Sequence, residues 1–493
     1  MNGQTSDATL LANHVEHGQQ VEFWRGNDGK PYATVHLNGH REVHGVQSRE
    51  FKSILRDWAR DILFKLPSRG TINGVCEYFA GLALRGHPRE LYLRVAGYQG
   101  RIYVDLCDSK WRVIEIGPRK WKVVEDPPVS FKRGTGMLAL PLPEANGSIE
   151  PLRKFINLPD NEYKLFVGFL LTAFNPWADY PVMHLLGEQG TGKSTMTRMV
   201  RMLLDPNWVA LREPPRGRKQ TAVSASHAWL MTYENMSKLD TSRSDELARL
   251  ATGGGVSVRT LFTDDEERLF KARRPIVING IEEISTRSDL LSRMLILRPQ
   301  YIAPMEYDPR ILEQFEAAVP IILGGLFGAL STALRNRSKV ELPEITRMGE
   351  FCYWSTAAET GDRLGWKKGG IMKAYFQNRD EIRAMLLDND PVIKHLIHHM
   401  SWSGGEWEGS ASELLLLLRE IAGGAARFPN FPNSNEKMGK WLSRMKADLR
   451  QIGIHTSKGY KGNGRAWRIV MDDPGESGTL FSAMGRHLSD PEE

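Results

Sequence analysis

The stretch PVMHLLGEQGTGKSTMTRMVRML, residues 181–203, decides the fold of this chain. It starts as an apolar run, continues as a glycine-rich loop of the pattern GxxxxGK[S/T], and ends in a segment whose apolar residues recur at helical spacing. Glycines allow backbone N–H groups to approach phosphates closely, and a strand, loop and helix in this order form the usual phosphate cradle. The stretch therefore predicts a parallel α/β core that holds a nucleotide.

The loop residues have distinct predicted roles. Lys193 is expected to neutralise the β- and γ-phosphates, and the Ser194 hydroxyl to ligate Mg²⁺. The predicted cofactors are accordingly ATP and Mg²⁺. The predicted ATP contacts are Gly187, Glu188, Gln189, Gly190, Thr191, Gly192, Lys193, Ser194 and Thr195.

Two further apolar runs each end in a polar residue. HAWLMTYEN (227–235) predicts a strand whose Glu234 emerges beside the loop, because ligands bind at the carboxyl ends of parallel strands. Glu234 is the second predicted Mg²⁺ ligand, although a buried strand ending in a solvated Glu would have the same pattern. RRPIVINGIEE (273–283) predicts a third strand whose Asn279 would position the attacking water.

Several groups could act as the general base that accepts the proton of the attacking water. Asn235 follows Glu234, and an amide can orient water but cannot accept its proton. Glu234 could serve both roles, the proton could leave through the phosphate itself, or a nearby acid could assist. The nearby acids are Glu188, Glu282 and Glu283.

The run ISTRSDLLSRMLIL (284–297) predicts a short helix that ends at Arg293, followed by an apolar strand. An arginine at this place can reach the γ-phosphate on a neighbouring subunit of a ring and stabilise transition-state charge. Arg293 is therefore predicted to be catalytic, together with Lys193, Glu234 and Asn279. Arg287 is the second choice, and either arginine could also be a solvated surface cation.

The order of these motifs resembles that of a known family. GEQGTGKST, LMTYEN, ATGGGVSVRTLFTDDEERLF, RRPIVINGIEE and DLLSR are similar to the superfamily 3 helicase module of viral and mobile-element replication proteins, a branch of the AAA+ ATPases. The resemblance covers about residues 150–300. It implies a hexameric ring whose pore hairpin, GGGVSVRTLF, grips single-stranded DNA through Arg259, with weaker contacts from Lys271, Arg273 and Arg274. Alternatively, Arg259 pairs with Asp264 or Asp265.

The carboxyl-terminal region contains a second nucleic-acid signal. In NEKMGKWLSRMKADLRQIG (435–453) one helix face is apolar and another is basic, and HTSKGYKGNGRAWRIV (455–470) predicts two strands around a Lys/Gly-rich tip. This order fits a winged helix, a fold that contacts either DNA or protein. The predicted DNA contacts are Lys437, Lys440, Arg444, Lys458, Lys461 and Arg465.

Composition sets the remaining limits. The net charge is +6 with a pI near 9.0, which favours a polyanionic partner. Cys76, Cys107 and Cys352 are far apart, so neither a disulfide framework nor a zinc site is expected. No secretory signal precedes the first domain, and the apolar stretches 165–174 and 319–334 are too short to span a bilayer.

The predicted fold class is α/β, with a P-loop AAA+-type parallel sheet, an N-terminal α+β domain, a helical segment and a C-terminal winged helix. The N-terminal domain contains a hairpin that turns at Asn38-Gly39, which places His40 and His44 on one face and His36 on the other. These histidines, like His395 and His399, are interpreted as structural. The predicted bounds are 1–130 for the N-terminal domain, 131–148 for a linker, 149–300 for the ATPase core, 301–402 for the helical segment, 403–472 for the winged helix and 473–493 for a tail.

We therefore expect a cytoplasmic DNA-dependent ATPase, most simply a ring-forming DNA helicase with DNA as its partner. An ATP-regulated winged-helix DNA-binding protein without unwinding activity is the alternative. A P-loop kinase is disfavoured, because a glycine hairpin and a trailing arginine replace the acceptor pocket that a kinase needs.

Overall fold

The computed structural model describes residues 6–18, 21–215, 217–236, 239, 241–254, 256–259, 267–270, 272–281, 288–303, 308–344, 346–361, 363–423, 431–461 and 464–472. The chain forms two compact units, Met1–Phe376 and Gln377–Glu493.

The first unit begins with a four-stranded sheet covered by three helices. Its strand order is β3-β2-β1-β4, and the Asn38-Gly39 turn joins β2 to β3 with both residues at positive φ, as predicted. His40 and His44 share a face of β3, where each hydrogen-bonds the carboxylate of Glu42. The elements are α1 (Asp7–Gly18), β1 (Val21–Gly26), β2 (Pro31–Leu37), β3 (His40–Gly45), α2 (Arg49–Leu63), α3 (Arg69–Arg85) and β4 (Pro88–Arg89).

Helix α3 is not apparent from the sequence pattern of the N-terminal domain. This helix buries Ile72, Val75, Cys76, Phe79, Ala80 and Ala83. Three glycines and a β-branched start weaken its helical pattern in the sequence, because both lower intrinsic helix propensity. Packing against the sheet therefore outweighs local preference here.

A second sheet follows, antiparallel, in the order β6-β7-β8-β9. Its strands are the short β-rich runs that the sequence indicates, and two further short strands, β5 and β10, pair in parallel beside it. The bounds are β5 (Leu91–Tyr92), β6 (Val95–Tyr98), β7 (Arg101–Asp105), β8 (Val113–Ile116), β9 (Trp121–Val124) and β10 (Ser130–Phe131).

A parallel four-stranded sheet, in the order β12-β15-β11-β16, forms the middle of the first unit. The apolar runs predicted to be strands all lie in it and are fully buried. The elements are α4 (Leu152–Phe155), α5 (Asp160–Ala173), β11 (Val182–Leu186), α6 (Lys193–Leu204), α7 (Arg218–His227), β12 (Met231–Tyr233), α8 (Thr241–Thr252), β13 (Val256–Arg259), β14 (Glu267–Phe270), β15 (Ile276–Gly280), α9 (Ser288–Leu291) and β16 (Met294–Leu297).

Three long helices complete this part: α10 (Ile311–Asn336), α11 (Gly349–Glu359) and α12 (Gly370–Asn389), the last of which crosses the division between the units. Helix α10 is apolar and long enough to cross a membrane, yet most of its apolar stretch is buried inside the protein. Its composition therefore serves the core, as expected for the apolar stretch 319–334.

The segment predicted to be a linker lies against α10. The Glu144 N–H donates to the Pro320 carbonyl at 3.0 Å. A side chain on Gly147 or Gly324 would collide with backbone, since an added Cβ would lie 2.2 Å from the Ile321 oxygen or 2.0 Å from the Glu144 oxygen. Glycine at these positions permits the backbones to meet.

A fully buried ion network joins the second sheet to the parallel core. Asp205 accepts from Arg94 at 3.1 Å and from Arg201 at 3.2 Å, and none of the three side chains is more than 2% exposed. Asp205 also accepts from the backbone N–H groups of Trp229 and Leu230, directly before β12. The network fixes the end of α6 against the start of β12.

The second unit contains α13 (Pro391–Trp402), β17 (Glu406–Gly409), α14 (Ala411–Ala422), α15 (Asn435–Gln451), β18 (Ile454–Lys461) and β19 (Gly464–Met471). The strands form one antiparallel sheet in the order β17-β19-β18. Residues 403–410 have no alternating apolar pattern, but four of them form β17. Trp407 is the only residue of β17 with a high strand propensity. Pairing with β19 therefore stabilises the strand.

We predict that Asp205→Ala lowers the free energy of unfolding by about 3–5 kcal/mol, because it leaves two arginines buried without a counter-charge. Urea denaturation followed by circular dichroism measures this loss. As a control, Asp61→Ala removes an exposed carboxylate 3.4 Å from Arg60 and should cost under about 1 kcal/mol. Similar losses in the two variants would contradict the anchoring role of Asp205.

Candidate functional site

The glycine-rich loop connects β11 to α6, as the sequence predicts. Gly190 and Gly192 have φ of 88° and 75°, values that L side chains rarely adopt. The Lys193 ammonium folds back onto the loop and donates to the carbonyls of Gly187, at 2.7 Å, and Glu188, at 2.5 Å. Partial burial lowers the pKa of Lys193. The loop thus holds a cation whose present acceptors are only neutral carbonyl oxygens and one hydroxyl.

Glu234 lies at the same edge of the sheet as this loop. It follows the last residue of β12 and is half-buried, while its backbone N–H donates to the Arg212 carbonyl at 3.1 Å. Ser194, in the first turn of α6, is exposed. The parallel strands thus bring Lys193, Ser194 and Glu234 to one edge of the sheet, as expected from their positions at strand ends.

Asn279 connects the two motifs. Strand β15 lies between β11 and β12, and the Asn279 side chain is 2% exposed. Its amide oxygen accepts from the Asn235 N–H at 3.1 Å, and its amide nitrogen donates to the Thr197 hydroxyl at 3.3 Å. Thr197 in turn donates to the Lys193 carbonyl at 2.9 Å. This chain of hydrogen bonds ties the turn after Glu234 to the first turn of α6.

Asn235 has a backbone reason for its identity. Its φ is 52°, in the left-handed region that asparagine tolerates better than other residues with a side chain. The next N–H, from Met236, donates to the Asn279 carbonyl at 3.1 Å. A carboxylate-bearing residue with the longer side chain of Glu would be strained there, so the turn geometry favours an amide.

The two arginines that flank β16 lie at opposite ends of the parallel strands. Arg293 precedes the strand, where it pairs with Asp289 at 2.5 Å and is far from the carboxyl edge that carries its own chain's loop. Arg298 follows the strand, and its N–H donates to the Glu162 carboxylate. Arg298 lies at the same end of the strands as the loop, and it is not among the residues predicted from the sequence, although it follows an apolar strand just as Glu234 does. Arg287, Glu282 and Glu283 lie outside the described residues.

A cavity of about 860 Å³ adjoins the loop. Its walls are mostly apolar and include Ile156, Tyr301 and Ile302, while Gly190, Gly192 and Thr195 form the side toward the loop. Asn157 braces this region by donating to the carbonyls of Thr191, at 3.2 Å, and Gln300, at 2.7 Å. No motif marks these residues in the sequence, because they come from two segments that only the fold brings together.

His184 lies in the middle of β11 and is 1% exposed. Burial lowers its pKa to about 3, helped by the nearby charges of Arg298 and Lys193. Its Nε2 has no hydrogen-bond partner in the described part of the chain. The imidazole is therefore neutral and belongs to the core beneath the loop.

The predicted pore hairpin is present as β13 and β14, an antiparallel pair in which Arg259 is in register with Glu267. The side chain of Arg259 and all of Lys271, Asp264 and Asp265 lie outside the described residues. Arg273 pairs with Asp179 at 3.1 Å, and Arg274 is half-buried over Trp229 with its Nε donating to two carbonyls. Both of these guanidinium groups are used inside the protein.

The second unit exposes the basic residues that the sequence singles out on α15. Lys437, Lys440 and Arg444 are exposed, and Lys440 pairs with Glu436 at 2.6 Å, while the apolar face of the helix is buried. A groove of about 800 Å³ separates α15 from the β18–β19 hairpin, and Lys458 and Arg465 line it. Lys461 has no described side chain.

Comparisons with known proteins agree with this architecture. The sequence profile of the actinomycete integrative conjugative element replication protein, RepA, matches residues 149–380, and the profile of the RepA C-terminal domain matches residues 392–479. Among curated proteins no sequence matches this chain.

One solved structure of low identity shares the fold. A structure described as the active helicase Cch of SCCmec type IV is 12% identical over 92% of this chain and 93% of that chain, with a TM-score of 0.50. The apo C-terminal region of NrS-1 is 10% identical over 95% of this chain and all of that chain, with a TM-score of 0.43.

We predict that His184 makes stability depend on pH. The unfolded histidine takes up a proton near its ordinary pKa of 6.5, whereas the folded one does so only near pH 3. Between these values the unfolded state binds more protons, so stability falls as the pH falls. From pH 7 to pH 5 the wild type should lose about 2 kcal/mol more than His184→Leu. Urea titrations at both pH values measure this. The exposed His87→Leu should keep the wild-type pH dependence, and a variant His184→Leu that did likewise would refute the assignment.

The two profiles describe successive parts of one family of proteins, and together they match well over half of the residues, in the ranges 149–380 and 392–479. The chain belongs to the family of replication proteins of actinomycete integrative conjugative elements.

Proposed function

We propose that this chain is a DNA-dependent ATPase, and that it acts as a ring-forming DNA helicase of the superfamily 3 type, within the AAA+ ATPases, when its mobile element is replicated. One observation carries the proposal. Lys193, Ser194 and Glu234 lie at one edge of a parallel sheet, beside a cavity of about 860 Å³.

The residues present fit ATP and Mg²⁺. Gly190 and Gly192 open the loop to phosphate oxygens, and Lys193 can exchange its carbonyl acceptors for them. The apolar walls of the cavity beside the loop can contact the adenine ring of ATP. The Ser194 hydroxyl and the Glu234 carboxylate supply the oxygen ligands that Mg²⁺ prefers. ATP when bound supplies the phosphoryl group that is transferred to water.

Glu234 is our choice for the acid that orients or deprotonates the attacking water. Asn235 projects from a left-handed turn and cannot accept a proton. Asn279 holds this turn against α6 through the hydrogen bonds described above, so we propose that it positions Glu234 relative to the phosphates rather than binding water alone. A loose phosphoryl-transfer transition state depends mostly on such positioning and charge.

Arg293 is proposed to act between subunits. It lies at the amino-terminal end of the parallel strands, whereas the loop of the same chain lies at their carboxyl end. This position supports a role toward the γ-phosphate on a neighbouring subunit and none toward the γ-phosphate on its own subunit. Assembly into a ring would place this arginine at a subunit boundary. Arg287 stays the second choice.

DNA is the proposed partner. The second unit has the element order and three-stranded sheet of a winged helix, with a basic stripe on α15 and cations along the adjoining groove. We propose that it binds DNA, that the β13–β14 hairpin lines a central pore, and that the protein works in the cytoplasm. The domain bounds proposed from the sequence are retained, with residues 131–148 packed on α10.

A nucleotide-regulated DNA-binding protein without unwinding activity is the alternative. It would use the same second unit, and ATP would control assembly. The exposed basic stripe on α15 supports this role equally well, so strand displacement must separate the two.

We predict that Lys193→Ala lowers ATP turnover about 100-fold or more, because the cation that stabilises the transferred phosphate is lost. Steady-state phosphate release, with and without single-stranded DNA, measures this. The wild type should be stimulated by DNA and should displace a strand from a forked duplex. Stimulation without displacement would favour the alternative, and full activity of Lys193→Ala would remove the loop from catalysis.

We predict that Glu234→Gln lowers turnover about 100-fold while nucleotide binding persists, because the carboxylate is lost at constant size. The paired variant is Asn235→Gly, which keeps the positive φ of the turn and should stay within a few-fold of the wild type. Single-turnover hydrolysis and equilibrium binding of a fluorescent ATP analogue measure the two effects. If Asn235→Gly were the inactive variant instead, the side-chain amide of Asn235, and not the Glu234 carboxylate, would be the group that hydrolysis requires.

A further inference from the structure

A separate cavity of about 360 Å³ lies in the first unit, between the β8–β9 turn, the carboxyl-terminal half of α10 and the segment after α11. It shares no lining residue with the loop or with the cavity beside it. Among the residues that the structure describes, five cationic side chains line it and no acidic side chain does. They are Arg119, Lys120, Lys122, Arg335 and Arg363.

The charge of this cavity is largely uncompensated. Lys122 lies 3.6 Å from Glu115, which also pairs with Arg101. The other four cations form no ion pair within the part of the chain that the structure describes. Like charges gathered around a small cavity repel one another, and an anion that enters relieves this repulsion.

A buried hydroxyl adds directionality. Ser331 lines the cavity, is 5% exposed, and its Oγ has no hydrogen-bond partner among the described residues. A buried polar group without a partner is uncommon in native structures and calls for a ligand or a solvent molecule. A hydroxyl donor next to several cations suits an oxyanion such as phosphate.

The backbone also makes room for a guanidinium. Gly328 faces Arg363, and a Cβ added to the glycine would lie 2.9 Å from the Arg363 Nη1. Arg363 can therefore rest against the surface of α10, one helical turn from the Ser331 hydroxyl. Arg119 and Lys120 approach from the other side on a tight turn, which is closed by a 3.0 Å hydrogen bond from the Gly117 N–H to the Lys120 carbonyl.

We propose that this cavity binds a backbone phosphate of a nucleic acid, at a site distinct from the nucleotide loop, the β13–β14 hairpin and the second unit. Arg119, Lys120, Arg335 and Arg363 are exposed, so the charge extends from the cavity onto the surface that a strand could follow. The inference rests on the proposed function only in that the ligand is DNA.

The test uses the full chain and a fluorescently labelled single-stranded oligonucleotide, with affinity measured by anisotropy over a range of salt concentrations. Each lost phosphate contact reduces the slope of log affinity against log salt by about 0.7. Because the cavity takes one phosphate, the double variant Arg335→Gln/Arg363→Gln should flatten the slope by about 0.7. Arg119→Gln/Lys120→Gln, at exposed turn positions that should not impair folding, should act alike. Ser331→Ala should weaken binding without changing the slope.

The matched control is Lys339→Gln/Lys367→Gln, which removes the same charge from exposed positions near Arg335 and Arg363 but outside the cavity. It should keep the wild-type slope. Equal flattening in control and cavity variants would overturn the proposal, since only overall charge would then matter. The proposal also fails if inorganic phosphate stabilises the wild type and not the cavity variant in thermal denaturation while their oligonucleotide slopes agree, because the site would then take a small anion.

ATP turnover without DNA separates this inference from the proposed function. The cavity variants should retain it, because none of their residues touches the loop. Retained turnover with an unchanged DNA slope refutes the cavity alone, whereas a wild type that hydrolyses no ATP refutes the proposed function and leaves the DNA-binding measurement valid.

Discussion

The buried carboxylate of Asp205 is the constraint on which the first unit depends. It lies between the guanidinium groups of Arg94 and Arg201, and all three side chains are excluded from water. A charge in the interior is tolerated only when it is paired and hydrogen-bonded, so these groups cannot separate without a large cost. Because Arg94 precedes the second sheet and Arg201 lies in the last turn of the helix that follows the loop, the network joins this sheet to the parallel core.

Hydrogen bonds of the same network extend to β12, the strand that precedes Glu234. Arg201 donates to the Leu230 carbonyl, directly before β12, and to the hydroxyl of Thr232, the middle residue of that strand. At the other end of that strand, Asn279 fixes the turn after Glu234 to α6. Two buried polar connections therefore set the distance between the acid and the lysine. A three-residue strand could not do this by its own ladder, since its pairing supplies few hydrogen bonds.

The cationic surfaces of the two units differ in how they are built. On α15 the basic residues are exposed on a regular helix, and one of them pairs with a neighbouring glutamate. In the first unit the cations of the smaller cavity come from three separate segments and surround a buried hydroxyl. The first arrangement suits sliding contact with a polyanion, because exposed charges are screened and mobile. The cavity cations are exposed as well, but they converge on one hydroxyl donor, so the second arrangement suits a single fixed phosphate.

The sequence by itself determined the strand, loop and helix around Lys193, the polar residues at the strand ends and the basic face of α15, because each depends on local spacing. It also indicated the Asn38-Gly39 hairpin. Only the tertiary structure decided that Asn279 bridges two motifs, that Arg274 packs over Trp229, and that Ser331, Arg335 and Arg363 meet the β8–β9 turn. These features join segments far apart in the chain, and a one-dimensional pattern carries no record of which distant side chains share a cavity. Helix α3 is a further example of a feature that the local sequence does not predict. Its glycines lower the intrinsic helix propensity, and packing against the sheet stabilises the helix.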